Sequence, residues 1–278
     1  MAECKLPTSE QLEKAIRDLP DKPFAVGGQG KVYKMPGPDG TCFYAAKTSA
    51  VGNSKSLEIE SKILEFLKKD CEEYLLCFTG AVNVDGKFWL VTEFLKGKEL
   101  FEAINDDELP TKEAMKNLVD GLAVLHRNGI AHMDIKPENI MYDHNSKKIK
   151  YIDFGLSCGM DISCAPRTNI PRGTPQYWSP EIYTVRDLVE GQRADIWSLG
   201  ITMFVWITGQ MPYDTLPNLS MGYLWPIHVK TTWKRKDLSF GNPYDIDLNK
   251  LICMDPYDRS LVECKVTKEP LKRTISQV

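Results

Sequence analysis

Phosphate chemistry is what the residue types and spacing of this chain suggest first. The stretch AVGGQGKV, Ala25 to Val32, puts glycines at 27, 28 and 30 in a strand-turn-strand context. Missing side chains there let backbone N–H groups approach phosphate oxygens, although a glycine-rich hairpin by itself is most often only a turn. Fifteen residues after Val32, Lys47 ends the run FYAAK among small and apolar neighbours. A helix with acidic residues just downstream can hold that ammonium as a point charge on a phosphate, against the plainer reading of a surface lysine at a strand end. Further on, HMDIKPEN places Asp134 two residues after His132 and Asn139 five residues after Asp134. Then come IDFG with Asp153, GTPQYWSPE ending at Glu181, and DIWSLG.

The elements that must position these residues change character along the chain. Residues 24–49 read as short β-favouring runs (FAV, KVYKM, CFYAAKT) broken by Gly and Pro, the pattern of antiparallel strands with tight turns. SLEIESKILEFLKKD interrupts them, with Leu57, Ile59, Ile63, Leu64 and Leu67 at helical spacing and lysines at its end. AVNVDGKFWLVTEF predicts a strand pair turning at Asp85-Gly86. After Lys96-Gly97 helices dominate. KEAMKNLVDGLAVLHRNG carries Met115, Leu118, Leu122 and Leu125 on one face, and ADIWSLGITMFVWITG, apolar nearly all round, predicts a buried core helix. The boundary between the two lobes falls near residues 95–98, with no internal repeats or low-complexity segments.

Composition narrows the classes. With 278 residues, 42% of them hydrophobic, the chain can bury a sizeable core as one large domain or two lobes. A net charge of -3 offers no footprint for nucleic acid, and the densest basic stretch, Lys230 to Lys236 around Trp233, reads as a solvated face or a small docking patch. Eight cysteines without a C-x-x-C pair predict reduced thiols rather than a disulfide framework or a zinc site. The start MAECKLPTSEQ has no apolar run, and LGITMFVWI is about half of the roughly 20 residues that a membrane span needs. These features predict a cytoplasmic protein with no membrane span, the nucleus remaining open.

Taken in order, the glycine-rich loop, Lys47, HMDIKPEN, IDFG, GTPQYWSPE and DIWSLG resemble the signature set of eukaryotic-type protein kinases over roughly residues 20–265. The resemblance implies an α+β bilobal fold: a small antiparallel β-sheet N-lobe with one helix and a larger, mainly α-helical C-lobe. The domains expected are an N-terminal extension (1–19), the N-lobe (20–95), the C-lobe (96–265) and a C-terminal tail (266–278).

It also implies roles. Lys47 contacts the α and β phosphates of ATP and pairs with Glu60, which is followed three residues later by an Ile-Leu pair, with Glu58 as the fallback. Ala25, Val26, Gly27, Gly28, Gln29 and Gly30 cover the phosphates; Val32, Ala45 and Met141 sandwich the adenine; Thr92 is the gatekeeper; Glu93 and Leu95 form the hinge; Glu99 binds the ribose or a substrate arginine. Asp153 and Asn139 hold Mg²⁺, with Mn²⁺ as an alternative, because hard oxygen ligands suit that ion. Asp134 orients the substrate hydroxyl and Lys136 neutralises charge on the transferring group. Lys136 with Thr174 in support matches the serine/threonine pattern. Glu181 is expected to pair with Arg259, and Asp195 to brace the catalytic loop.

Two departures stand out. The first loop glycine of the family is Ala25 here, and the arginine that usually precedes the catalytic aspartate is Met133. That arginine ordinarily pairs with a phosphate on the activation segment; a methionine fills the site by packing instead. The expectation is a kinase that does not need activation-loop phosphorylation, acting as a monomer on Ser/Thr protein substrates, with upstream basic residues favoured by Glu99 and Glu138. Arg167 and Arg172 could still bind a phosphate elsewhere, and Thr274 or Ser276 in LKRTIS is the candidate autophosphorylation site. The alternatives are a kinase-shaped scaffold without catalysis, and a small-molecule kinase, which GTPQYWSPE and DIWSLG disfavour.

Overall fold

The computed structural model describes residues 6–27, 30–40, 42–49, 54–71, 73–165, 173–213, 244 and 246–261. The chain divides into two units, one of Met1–Lys96 with Ile152–Leu156, the other of Gly97–Tyr151 with Ser157–Val278.

The first unit opens with a helix, α1 (Ser9–Arg17), where the sequence reading assigns no element. It starts there because Thr8 and Gln11 form a capping box: Thr8 Oγ1 accepts the Gln11 amide at 3.3 Å and Gln11 Oε1 accepts the Thr8 amide at 2.9 Å. Leu12 and Ile16, one turn apart, are its buried residues. Five strands follow: β1 (Ala25–Gly27), β2 (Gly30–Pro36), β3 (Phe43–Thr48), β4 (Phe78–Val84) and β5 (Lys87–Glu93). They form one antiparallel sheet in the order β1-β2-β3-β5-β4. Period-2 alternation sends Tyr33, Met35, Tyr44, Ala46, Val82, Val84, Trp89 and Val91 into one apolar cluster, which Leu12 and Ile16 complete. Gly80 is what lets α1 lie so close, since a Cβ there would stand 2.6 Å from Leu12 Cδ1. The β4-β5 hairpin closes on Asp85 and Gly86, with φ of 50° and 74°, the paired positive values that a type I′ turn demands.

Helix α2 (Ser54–Phe66) buries Leu57, Glu60, Ser61, Ile63 and Leu64. These recur every three or four residues, so one carboxylate shares the apolar face with three aliphatic side chains. That placement of Glu60 positions half of the candidate site.

The second unit is mainly helical: α3 (Leu100–Asn105), α4 (Lys112–Arg127), α5 (Leu188–Thr208) and a short α6 (Leu248–Leu251). Thr111 caps α4 by accepting the Ala114 amide at 3.1 Å, and Asp187 caps α5 by accepting that of Glu190 at 2.9 Å. α4 buries Met115, Leu118, Leu122 and Leu125, and α5 is buried over most of its length. Two small antiparallel sheets accompany the helices: β6 (Lys98–Glu99), β8 (Ile140–Asp143) and β9 (Lys148–Tyr151) in the order β6-β8-β9, and β7 (Ile130–Ala131) paired with β10 (Cys158–Gly159). Strand β7 ends immediately before His132 and β8 starts immediately after Asn139, so the candidate catalytic stretch is a loop pinned at both ends. Among the described residues no helix is long and apolar enough to cross a membrane.

The cysteines correct the expectation of reduced thiols. Cys71 is bonded to Cys77 and Cys158 to Cys164. Each pair is six residues apart in sequence, yet local turns bring the Cα atoms to 5.1 and 5.0 Å, within the range a disulfide spans. Spacing along the chain does not reveal such turns. Cys42 and Cys253 are free, whereas Cys4 and Cys264 lie outside the described residues.

Candidate active site

In the first unit, Lys47 on β3 faces two carboxylates. Its Nζ stands 2.7 Å from Glu60 Oε2 and 3.3 Å from Asp153 Oδ1. Glu58, the fallback partner, is exposed. Burial disfavours the charge of Lys47, but Glu60 and then Asp153 outweigh it, so its pKa lies above the usual lysine value and the group stays cationic. Glu60 itself is 1% exposed, so its carboxylate reaches no solvent and works by fixing the ammonium. Asp153 holds a left-handed backbone, φ 65°, which few non-glycine residues adopt. The residues after it are tied to α2, where the Ser56 hydroxyl donates to the Gly155 carbonyl at 3.1 Å.

The glycine-rich hairpin pairs Ala25 with Val32, Val26 with Lys31 and Gly27 with Gly30; Gly28 and Gln29 lie outside the described residues. Gly30 is required by space and by conformation. Its φ is 142°, and a Cβ would stand 2.2 Å from the carbonyl oxygen of Thr48, the residue after Lys47 on β3. The register places Val32 opposite Lys47 and Ala45 opposite Thr92. Thr92 is buried, and its hydroxyl donates to the Glu93 carbonyl at 3.2 Å. The Glu93 side chain is turned to the Cys77 amide, 2.9 Å away, and Leu95 is half-buried.

In the second unit the loop from His132 to Asn139 is held from below by Asp195 of α5. Its Oδ2 accepts the His132 amide at 2.7 Å and lies 3.1 Å from His126 Nε2; its Oδ1 accepts the Met133 amide at 2.8 Å. Met133 is buried at φ 66°. Asp134 is the centre of a second network. Asn139 Nδ2 donates to its Oδ2 and to its backbone carbonyl, both at 2.8 Å; the Thr174 hydroxyl donates to its Oδ1 at 3.0 Å. Lys136 Nζ lies 3.2 Å from Asp134 Oδ2 and 2.7 Å from Thr174 Oγ1. Thr174 reaches Asp134 because Gly173 (φ 91°) precedes it, where a Cβ would stand 2.6 Å from the Met133 carbonyl oxygen.

The remaining expected residues fall in the same unit. Glu181 receives both arms of Arg259, with Nη2 to Oε2 at 2.8 Å, and the guanidinium also donates to the carbonyls of Cys253 and Arg193. Met141 on β8 pairs in register with Glu99 on β6. Burial, then the charges of Glu102 and Glu138, raise the Glu99 carboxyl above its usual value, with Lys136 pulling the other way. Among the described residues, buried Glu138 Oε2 has no hydrogen-bond partner. Arg167, Thr168, Arg172, the basic stretch 230–236, Thr274 and Ser276 lie outside the described residues.

Five contacts in the second unit have no signal in the sequence. His126 closes on Asp195 where α4 meets α5, the Ser157 hydroxyl donates to the His132 carbonyl at 3.2 Å, and Lys98 bridges Asp106 and Glu108, with His144 on Glu108. None belongs to a motif; each depends on how the chain folds back on itself.

Both halves suit nucleotide phosphoryl transfer: a fixed ammonium beside an aspartate in one unit, and a positioned carboxylate, ammonium and carboxamide in the other. Known proteins agree. A family model described as protein kinase domain matches residues 23–273. Ribosomal protein S6 kinase alpha-6 of Mus musculus is 32% identical over 205 residues, 69% of this chain and 26% of that protein. Probable serine/threonine-protein kinase 2 of Plasmodium falciparum is 36% identical over 156 residues, 54% of this chain and 30% of its own length. Serine/threonine-protein kinase chk1 of Schizosaccharomyces pombe is 36% identical over 141 residues, 49% and 28% respectively. The chain thus spans less than a third of the length of these relatives.

Proposed function

Since the chain belongs to the eukaryotic-type serine/threonine protein kinase family, we propose that it transfers the γ-phosphoryl group of ATP to serine and threonine hydroxyls of protein substrates. The observation that carries this reading is the set of contacts on Asp134, which Asn139, Thr174 and Lys136 hold at 2.8, 3.0 and 3.2 Å. A scaffold without catalysis has no reason to keep a buried carboxylate so oriented.

Each residue then has a task. The substrate hydroxyl donates a hydrogen bond to the Asp134 carboxylate, which points the oxygen at the γ-phosphorus and takes its proton as the O–P bond forms. Lys136 offsets negative charge on the transferring phosphoryl group. The Thr174 hydroxyl links that ammonium to Asp134 and suits a serine or threonine at the acceptor position. Lys47, fixed by Glu60, sits on the α and β phosphates.

The donor chemistry of each unit, taken by itself, also suits Mg²⁺. In the first, Asp153 supplies a carboxylate; in the second, Asn139 commits its Nδ2 to Asp134, leaving its carboxamide oxygen as the atom to offer a cation. Such an ion, when bound, neutralises charge on the triphosphate. Two finer features belong to the same reading. Glu99 and Glu138 favour basic residues upstream of the phosphorylated one, and the buried, uncharged Met133 makes activity independent of an activation-segment phosphate.

Incubation of the full chain with Mg²⁺-ATP and a degenerate peptide library tests the proposal. Phosphate on serine and threonine, and none on tyrosine, is the expected result. ATP binding without transfer to any peptide would establish the scaffold alternative.

A further inference from the structure

The Cys158–Cys164 disulfide closes a five-residue loop, Gly159–Ser163, at a place where several parts of the second unit meet. Cys158 lies in β10 and pairs with Ala131 of β7, the residue next to His132. Ser157, just before it, bonds the His132 carbonyl. Within the loop, Gly159 and Ile162 exchange amide-to-carbonyl hydrogen bonds, both 2.9 Å. At the other end, Cys164 is packed where α5 begins. A Cβ on Gly191 would stand 3.2 Å from Met133 Sδ and 3.4 Å from Cys164 Sγ. Both sulfurs therefore converge on one glycine of α5, beside the residue that precedes Asp134.

A phosphate on this segment would find no charge on Met133. Strand pairing and the Ser157 hydrogen bond hold the segment to β7, and the disulfide fixes its shape there: the seven residues from Cys158 to Cys164 are closed on themselves, with Cys158 fully buried and Cys164 4% exposed. Within the loop, Met160, Asp161 and Ser163 face solvent.

We propose that this disulfide is a redox fastener of the activation segment. Oxidised, it keeps residues 158–164 seated against β7 and Met133. A dithiol reductant opens it: one thiolate attacks a cysteine sulfur to give a mixed disulfide, the second displaces the remaining cysteine, and two electrons and two protons pass from dithiol to protein. The reductant leaves as a disulfide and Cys158 and Cys164 as thiols. Released, the segment no longer backs β7 and Met133, whose carbonyl oxygen lies against Gly173, and transfer slows. The effect on activity rests on the kinase reading; the effect on the segment does not.

The full chain, purified without reductant, is compared with the same protein after dithiothreitol and with Cys164→Ser. Peptide mapping under non-reducing conditions reads the bond, amide hydrogen exchange over 157–165 reads the seating, and kcat/KM on a serine peptide reads the consequence. Expected are a 158–164 crosslink, exchange at least about tenfold faster after reduction, and kcat/KM at least about fivefold lower. Dithiothreitol should have no further effect on Cys164→Ser, which separates this bond from Cys71–Cys77. If Cys164→Ser does not fold, the two redox states of the wild type decide alone. Absence of the crosslink, unchanged exchange after verified reduction, or equal kcat/KM in an active protein overturns the proposal. Should neither redox state transfer phosphate, the kinase reading fails and the exchange rates still decide whether the fastener exists.

Discussion

Asp195 Oδ1 accepts the backbone amide of Met133 at 2.8 Å. With the His132 amide on its other oxygen at 2.7 Å, one α5 carboxylate sets the path of the chain immediately before Asp134. Replacing it with alanine leaves two buried N–H groups without an acceptor, and each such donor costs about 1–3 kcal/mol. Asp195→Ala is therefore expected to lose on the order of 3 kcal/mol in urea unfolding. A loss below about 1 kcal/mol would mean that the loop is held by something else.

Met133 is 7% exposed, and its sulfur packs against Gly191. A guanidinium there would be a buried charge with no partner, so Met133→Arg is expected to destabilise by roughly 3 kcal/mol without raising kcat/KM. An arginine variant as stable as the wild type and more active would show that the site still accepts a phosphate-pairing residue.

Protein treated with phosphatase, or carrying Ser163→Ala with Thr168→Ala, is expected to keep most of its activity. Ser157 does not belong in that set although its residue type suggests it, because it is fully buried and its hydroxyl is spent on the His132 carbonyl. A tenfold fall in kcat/KM, about 1.4 kcal/mol, on removing the phosphates would contradict the reading of Met133.

How much of this was legible in the sequence depends on whether a contact is local. The Asp134, Lys136 and Asn139 cluster sits within six residues, so spacing carries it, whereas the choice of Glu60 over Glu58 rests on the family's pattern of a glutamate ahead of an Ile-Leu pair, which the shared buried face with Leu57 and Ile63 explains. The Thr8–Gln11 capping box and the Leu12/Ile16 pair were equally local signals for α1, and reading residues 1–19 as an extension overlooks them. The disulfides are another matter. Eight cysteines admit many pairings, and only turns such as the Gly159–Ile162 bridge bring the bonded ones together. His126 on Asp195, 69 residues apart, is likewise a product of how α4 and α5 pack.

The Glu99 carboxyl, raised by burial and by its neighbours Glu102 and Glu138, predicts a pH-dependent substrate preference. A raised carboxyl is neutral below its shifted value, so its pull on a basic residue appears only as pH rises through that value. The ratio of kcat/KM for a peptide with an upstream arginine to one with alanine should therefore climb as pH rises through the range above the usual carboxylate value, and stay nearly flat in Glu99→Gln. Stability moves the other way. The folded state binds the proton more tightly than the unfolded chain, so the contribution of Glu99 falls as pH rises through the window above its usual value. A ratio that climbs equally in Glu99→Gln would remove Glu99 from peptide selection.

Thr174→Val keeps the shape of the side chain and removes the hydroxyl that joins Lys136 to Asp134. It should lower kcat by roughly 100-fold, the lower end of the cost of losing one positioned donor, with little change in KM for ATP, and Thr174→Ser should restore most of it. A rise in KM for ATP at unchanged kcat would place Thr174 in nucleotide binding instead.

The central claim is that Asp134 serves phosphoryl transfer, and single-turnover transfer from γ-labelled ATP to a serine peptide tests it most directly. Transfer by the wild type is expected, with a loss of about 10²- to 10⁴-fold in Asp134→Asn, the range for a general base, and with ATP affinity and unfolding midpoint nearly unchanged. An Asp134→Asn protein that transfers phosphate within about tenfold of the wild-type rate would contradict it.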